Sequence, residues 1–300
     1  MQLSEIAQIV DVLVVRGGDF DNLGLLTHRE GRVLAGYYEE RFARALQNPH
    51  LACVISSDAL APQVPDHIGL AVADDVKAAF YRLHEYLCRH TEFYWKDFET
   101  EIAADARIHG SAYVAPLNVR IGNRTTVAPR AIILEHSIIG SDCTIHAGAV
   151  IGGEGFEPKW VAEKHLVIPH AGGVRIGDCV QIMCCAHLAR AVFGGFTEIG
   201  DGSIVDALVH IAHNAKIGRN CEIAANALVA GSTSIGDGVW IGPNACVSSE
   251  VRVGNHAFIS LGSVVIDDVP DGGRVTGYFA FDHREYKRSH RLFKAASLKD

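Results

Sequence analysis

Three residues in this chain have types and spacing suited to a base, an oxyanion donor and a polar contact: His213, Gly231 and His210. A free imidazole titrates near pH 6.5, so His213 can serve as a base at neutral pH. Forming an amide from a thioester needs such a base for the amine's proton, and donors for the oxyanion that develops. Gly231 follows His213 by eighteen residues, and its backbone N–H is a candidate donor. Asp206 precedes His213 by seven and is the sequence's candidate to orient the imidazole. His210 should face outward beside His213, toward a substrate phosphate or hydroxyl, or simply toward water. The plain alternative for His213 is a corner cap, in a chain with sixteen histidines. A metal reading also exists. His187, His210 and His213 could make a three-imidazole zinc site of the carbonic-anhydrase kind, although Gly231 has no purpose there. A non-catalytic scaffold is a third class, and it predicts no dependence on His213.

The spacing of eighteen has meaning because of the stretch around it. From Ile199 to Val265 every sixth residue is Ile or Val. A helix repeats at 3.6 and an ordinary strand at 2, so a sustained period of six is the hexapeptide pattern of a parallel β-helix. The Ile or Val points inward and stacks in ladders. A small residue two places earlier fits the corner, and Gly or Ala follows where the backbone is expected to bend. Three units make a coil of eighteen residues, which puts Gly231 directly over His213. The period also runs from Ile102 to Ile151, with one phase shift before Ile121. It is interrupted at 153–174 and again at about 183–198. Long loops leaving a regular framework commonly carry function. Glu154 and Phe156 open the first, where a carboxylate could bind sugar hydroxyls or an amine. Arg190 and Lys159 read as solvated basic residues. Seven to eight coils, about 35 Å of prism, are expected.

Residues 1–98 lack the code. Short apolar runs at 51–55 and 68–72 read as strands, and 74–89 carries apolar residues at helical spacing. The expected organisation is mainly β. It comprises a small N-terminal α/β domain (1–98, possibly nucleotide-binding), a β-helix (99–281) and a short basic C-terminal helix (282–300). The net charge of −8 argues against a nucleic-acid partner. No apolar run is long enough to span a bilayer, and the N-terminus lacks a basic signal-peptide region. The eight scattered cysteines include no CxxC pair and read as reduced, in a cytoplasmic protein.

Four local motifs add a family likeness. They are Gly152-Gly153-Glu154-Gly155-Phe156, Ile168 to Gly177 (IPHAGGVRIG), His210-Ile211-Ala212-His213-Asn214 and Val229-Ala230-Gly231-Ser232. In this order and spacing they resemble the UDP-3-O-acylglucosamine N-acyltransferases of lipid A biosynthesis, from about 102 to 281, Val275-Thr276-Gly277-Tyr278 included. The resemblance implies a left-handed coil and a cytoplasmic homotrimer with sites in clefts between prisms. It also implies transfer of a 3-hydroxyacyl chain from acyl carrier protein to the amine of a UDP-sugar. It strengthens His213 as the base; Gly231 and Asp206 are expected to act with it, and His210, Asn214, Glu154 and Phe156 to bind substrate. No cofactor is expected to stay bound; the acyl donor is a phosphopantetheine thioester of acyl carrier protein, or coenzyme A. Basic residues from His283 to Lys294 could meet an acidic carrier. The runner-up is an acetyl-CoA-dependent amino-sugar N-acetyltransferase. Where the family has Thr-Ile-Asp-Arg-Gly, this chain has His187-Leu188-Ala189-Arg190-Ala191, and Glu250 stands where the family has a second histidine.

Overall fold

The computed structural model describes residues 1–161, 163–277 and 282–296. Tyr278 and the expected helix end at 297–300 lie outside the described residues. Most of the chain winds into a parallel β-helix with three faces. The first face begins at Glu101–Ile102, the second at Arg107–Ile108 and the third at Tyr113–Val114. These faces hold eight, nine and eight parallel strands, so the prism is slightly longer than the spacing predicted. Register between coils is set by the period: His210 pairs with Leu228, and Ile211 with Val229. One continuous core of stacked Ile, Val and Ala runs the length of the prism.

The bend differs from the expectation. The backbone reverses at the residue three places after the inward Ile or Val, where φ is positive: Asn214 (59°), Asn220 (53°), Asn226 (59°), Ser232 (59°) and Asn244 (55°). Asn tolerates this left-handed region better than most residues. The glycine one place after the inward residue has another reason. A Cβ on Gly200 would lie 2.6 Å from the backbone of Gly218 in the next coil.

Both interruptions leave from the corner between the third and first faces. The first, after Gly153, forms an antiparallel hairpin of Pro158–Val161 with Lys164–Val167. The second is shorter than its sequence suggests. His187–Ala189 is an ordinary third-face strand, and Leu188 fills the inward position six residues after Ile182. Leu188 and the next inward residue, Ile199, are eleven apart, so only five residues beyond the period of six are extra; Leu in place of Ile or Val hid the rung.

The N-terminal residues form a five-stranded sheet in the order Leu13–Arg16, Gly69–Val72, Leu51–Ser56, Val33–Tyr37, Asn22–Leu23, with the first strand antiparallel. The helix Val76–His90, capped by Asp75, packs on one side. The core beneath it includes Val161, Ile168, Val192 and Phe193 from the two loops. The small sheet is thereby seated on the insertions, and His84 ties it down: its two ring nitrogens meet Tyr94 Oη and the Pro169 carbonyl oxygen, each at 2.8 Å.

Candidate active site

His213 lies two residues past the inward Ile211, at the same third-to-first corner from which both loops depart. The eighteen-residue register puts Gly231 against it: a Cβ on Gly231 would fall 2.5 Å from His213 Cε1 and 2.8 Å from Nε2. Any larger residue there would displace the ring. Among the described residues the Gly231 N–H donates to no other group, while its carbonyl accepts from Glu250 N–H at 3.0 Å.

The two nitrogens of His213 face different partners. Nδ1 is 3.3 Å from Asn214 Oδ1, which itself accepts from Val192 N–H at 3.0 Å. Nε2 is 3.4 Å from the carboxylate of Glu157, at the start of the hairpin. Lys159 meets the other Glu157 oxygen at 2.6 Å. Burial alone would raise the Glu157 pKa, but hydrogen bonds from His213 and Lys159 outweigh it and bring the pKa to about 2.

Asp206 does not orient His213. It sits at the preceding corner, between the second and third faces. There its carboxylate accepts from Ala207 N–H at 2.6 Å and Ala225 N–H at 3.1 Å. A residue seven before His213 lies on a different edge of the prism. Glu157, which the sequence reading missed, is the carboxylate that reaches the ring. Lys159, read as solvated, pairs with it.

Glu154 is ion-paired with Arg190 at 2.9 Å, so Arg190 is not a free surface cation either. Arg190 also approaches His136, whose ring stacks on Trp95 at 4.4 Å. Burial, then the Arg190 charge, push the His136 pKa down to about 4. Phe156 is 85% exposed at the entry to the hairpin. His170 is buried; it donates from Nδ1 to the Ile168 carbonyl and accepts Gly155 N–H at Nε2. Burial, reinforced by His213, lowers its pKa to about 4.

His210 stacks on His187 with ring centroids 5.0 Å apart and Nδ1 atoms 3.1 Å apart. The pair lies on the outer side of the third face, and both pKa values are lowered by burial. His213 turns instead toward Glu157. Among the described residues no three His, Cys, Asp or Glu side chains converge as metal ligands.

A cleft of about 390 Å³ opens beside His213 and Asn214. Its walls are Glu157 at the start of the hairpin, the segment Leu25–Glu30, the second loop at Val192–Gly194 and the following coils, with Lys216, Ser232, Glu250 and Arg252 among its lining. It is the natural entry for a reactant. The exposed helix His283–Ala296 carries Arg284, Lys287, Arg288 and Arg291 together on its surface. Among the described residues no helix is long and apolar enough to cross a membrane.

Residues 118–153 and 196–231 match the family model for bacterial transferase hexapeptide (six repeats). UDP-3-O-acylglucosamine N-acyltransferase 1 of Gloeobacter violaceus is 45% identical over 152 residues, covering 51% of this chain and 43% of that protein. UDP-3-O-acylglucosamine N-acyltransferase 2 of Legionella pneumophila is 44% identical over 165 residues, covering 55% and 48%. The matched segments span less than half the length of either relative. Among solved structures, LpxA from Acinetobacter baumannii covers 64% of this chain and 73% of its own, with a TM-score of 0.54 and 24% identity; this likeness bears on the fold.

Proposed function

We propose that this chain is an N-acyltransferase, on its likeness to the UDP-3-O-acylglucosamine N-acyltransferases. It moves a 3-hydroxyacyl chain from the phosphopantetheine thioester of acyl carrier protein to the amine of a nucleotide-linked amino sugar, as in lipid A biosynthesis. The observation that carries this reading is His213 lying against Gly231 at the mouth of a cleft, inside the stretch that matches the hexapeptide transferase model. His213 takes a proton from the attacking amine. The amine nitrogen bonds to the thioester carbon, and the Gly231 N–H steadies the oxyanion. The C–S bond then breaks, and the thiolate recovers the proton from His213. Gly at 231 lets the acyl carbon approach the ring closely.

The exposed cations of the helix His283–Ala296 suit an acidic carrier protein, whose approach they would steer at low salt. The outer side of the third face carries an apolar ladder, Tyr113, Ile132, Leu228 and Val264, which a second copy of the chain would cover in a homotrimer. Such an enzyme would work in the cytoplasm. The N-terminal sheet would hold the nucleotide.

A donor and acceptor panel with purified protein tests the reading. Turnover of UDP-3-O-acylglucosamine with 3-hydroxyacyl carrier protein is the expected outcome. Turnover with acetyl-CoA alone would overturn it in favour of a short-chain N-acetyltransferase.

A further inference from the structure

The hydrogen bonds around His213 fix its tautomer. Asn214 Oδ1 accepts from Val192 N–H, so it presents lone pairs to His213, and Nδ1 is the ring's donor. In the neutral ring, the form that acts as a base, Nε2 then carries the lone pair, and it faces the Glu157 carboxylate at 3.4 Å. There two acceptors confront each other with no hydrogen between them, whereas a protonated ring closes the gap with its own N–H. Lys159 does not fill this gap, because its ammonium is engaged on the opposite carboxylate oxygen, Oε1. A group with several N–H bonds and a positive charge, seated over the gap, would satisfy both acceptors at once.

The carboxylate is held in place for such a guest. Gly155 N–H is bonded to His170, and a Cβ on Gly155 would come within 3.3 Å of His213 Cδ2, so the hairpin entry lies close against the ring. Ile168 N–H donates to the Glu157 carbonyl at 3.1 Å. Glu157 and His213 both line the cleft.

Resting on the acyl-transfer reading above, we propose that Glu157 selects the acceptor. Its carboxylate and His213 Nε2 together seat an ammonium, so the cleft takes primary-amine acceptors in preference to their hydroxyl counterparts. Primary amines of pKa near 8 or above are mainly ammonium at pH 7. The seated ammonium yields a proton to Nε2 and becomes the nucleophile. The N–C bond forms as the C–S bond breaks. Of the two protons the nitrogen sheds, one reaches the sulfur through His213 and the other leaves to water. A neutral hydroxyl acceptor gains nothing from the carboxylate.

Titration of the wild-type protein with glucosamine hydrochloride and with glucose, followed by NMR at the His213 ring signals, tests the seat without nucleotide or donor. Glucosamine is expected to shift those signals and glucose is not; Glu157→Gln should abolish the glucosamine response while the far-UV spectrum is unchanged. In turnover, Glu157→Gln should lower kcat/KM for the UDP-linked amino sugar by about 10- to 100-fold, the scale of one charge-assisted hydrogen bond, chiefly through KM. Glu157→Asp should restore part of the loss. Equal responses to glucosamine and glucose, or an undiminished response in Glu157→Gln, would overturn the proposal. A protein that turns over no UDP-linked amino sugar defeats the acyl-transfer reading but leaves the glucosamine titration free to decide this one.

Discussion

The second-to-third and third-to-first corners are made from the same six-residue unit, yet they do different work. At the former, Asp206 folds its carboxylate onto two backbone N–H groups, and Leu208 takes the positive φ of 60°. Nothing is inserted there, and the corner repeats from coil to coil. At the latter, two loops interrupt the winding and the N-terminal sheet settles on them. His213, Gly231, Glu157 and Asn214 meet in the space they enclose. The inward ladder is the same behind both corners, with Val205 and Ile211 fully buried. A rigid repeat supplies the alignment, and the site arises where one edge of that repeat is made irregular. The same polar residue types therefore carry structure at one corner and chemistry at the other.

Substituting one residue from each corner is the strongest way to break this comparison. His213→Ala should lower kcat by roughly 10²- to 10⁴-fold, the range for a lost general base, with the thermal midpoint little changed. Asp206→Ala should do the reverse. It strands two backbone N–H groups at a half-buried corner and should cost about 1–3 kcal/mol of stability, with kcat nearly intact. Equal kinetic damage from both variants, measured beside thermal unfolding, would mean the corners are not functionally distinct.

Glycine gives a second contrast. Gly231→Ala keeps the N–H but puts a methyl group 2.5 Å from His213 Cε1. The ring must move, and a displacement near 1 Å can cost about 100-fold in rate. Gly262 has φ of +64° and open space around its Cβ position. Gly262→Ala should therefore cost about 1–2 kcal/mol through backbone strain without touching kcat. Steady-state kinetics and thermal melts on the two variants separate the effects.

How much of this was legible follows from the same geometry. The period of six specified the prism, its register and the contact of Gly231 with His213, because stacking by eighteen is fixed once the inward residues are named. Asp206 was misassigned because closeness in sequence is not closeness at a corner. Residues that share His213's edge lie eighteen away or in insertions leaving that edge. Gly153 is two past Ile151 and His213 is two past Ile211, and the two share a corner once Leu188 is counted as a rung between them. With that rung hidden by its leucine, the count put His213 on the wrong face, and Glu157 was missed. The strands at 13–16, 22–23 and 33–37 were not read. The first is a half-exposed edge strand and the second has two residues, so neither offers a pattern long enough to recognise.

The insertions should also set the acid sensitivity. His170 stays neutral in the folded protein because burial and the neighbouring His213 lower its pKa to about 4, against 6.5 when unfolded. As pH falls from 6.5 toward 4 the unfolded chain gains a proton that the folded one refuses, so stability falls across that window. Glu154 and Arg190 also face His170, and their opposite charges act in opposite directions. By pH 5 the loss is about 2 kcal/mol for this residue. Glu157 does not contribute there; its depressed pKa matters only as pH falls from 4.5 toward 2. His170→Gln can still meet Gly155 N–H and removes the titration. Denaturant unfolding at pH 7 and pH 5 should show a smaller difference for His170→Gln than for wild type, by about that amount. An unchanged difference would assign the acid sensitivity to the other buried histidines, His84 and His136.

The smallest effect concerns Phe156, and it separates loop chemistry from loop packing. Its ring is 85% exposed at the hairpin entry that begins with Glu154, so it contributes almost no buried area to the folded chain. Phe156→Ala should leave stability within about 0.5 kcal/mol, as exposed substitutions generally do. If this entry closes on a reactant, the ring is buried only in the complex, and its removal should raise KM several-fold with kcat nearly constant. That pattern marks binding lost equally from ground and transition states. Comparing acyl donors of different chain length would then show which reactant the ring covers. A KM increase that grows with chain length assigns it to the acyl tail, and one independent of chain length assigns it to the sugar. No change in KM for either reactant would leave the entry as solvated loop and confine the site to the cleft between His213 and Glu157.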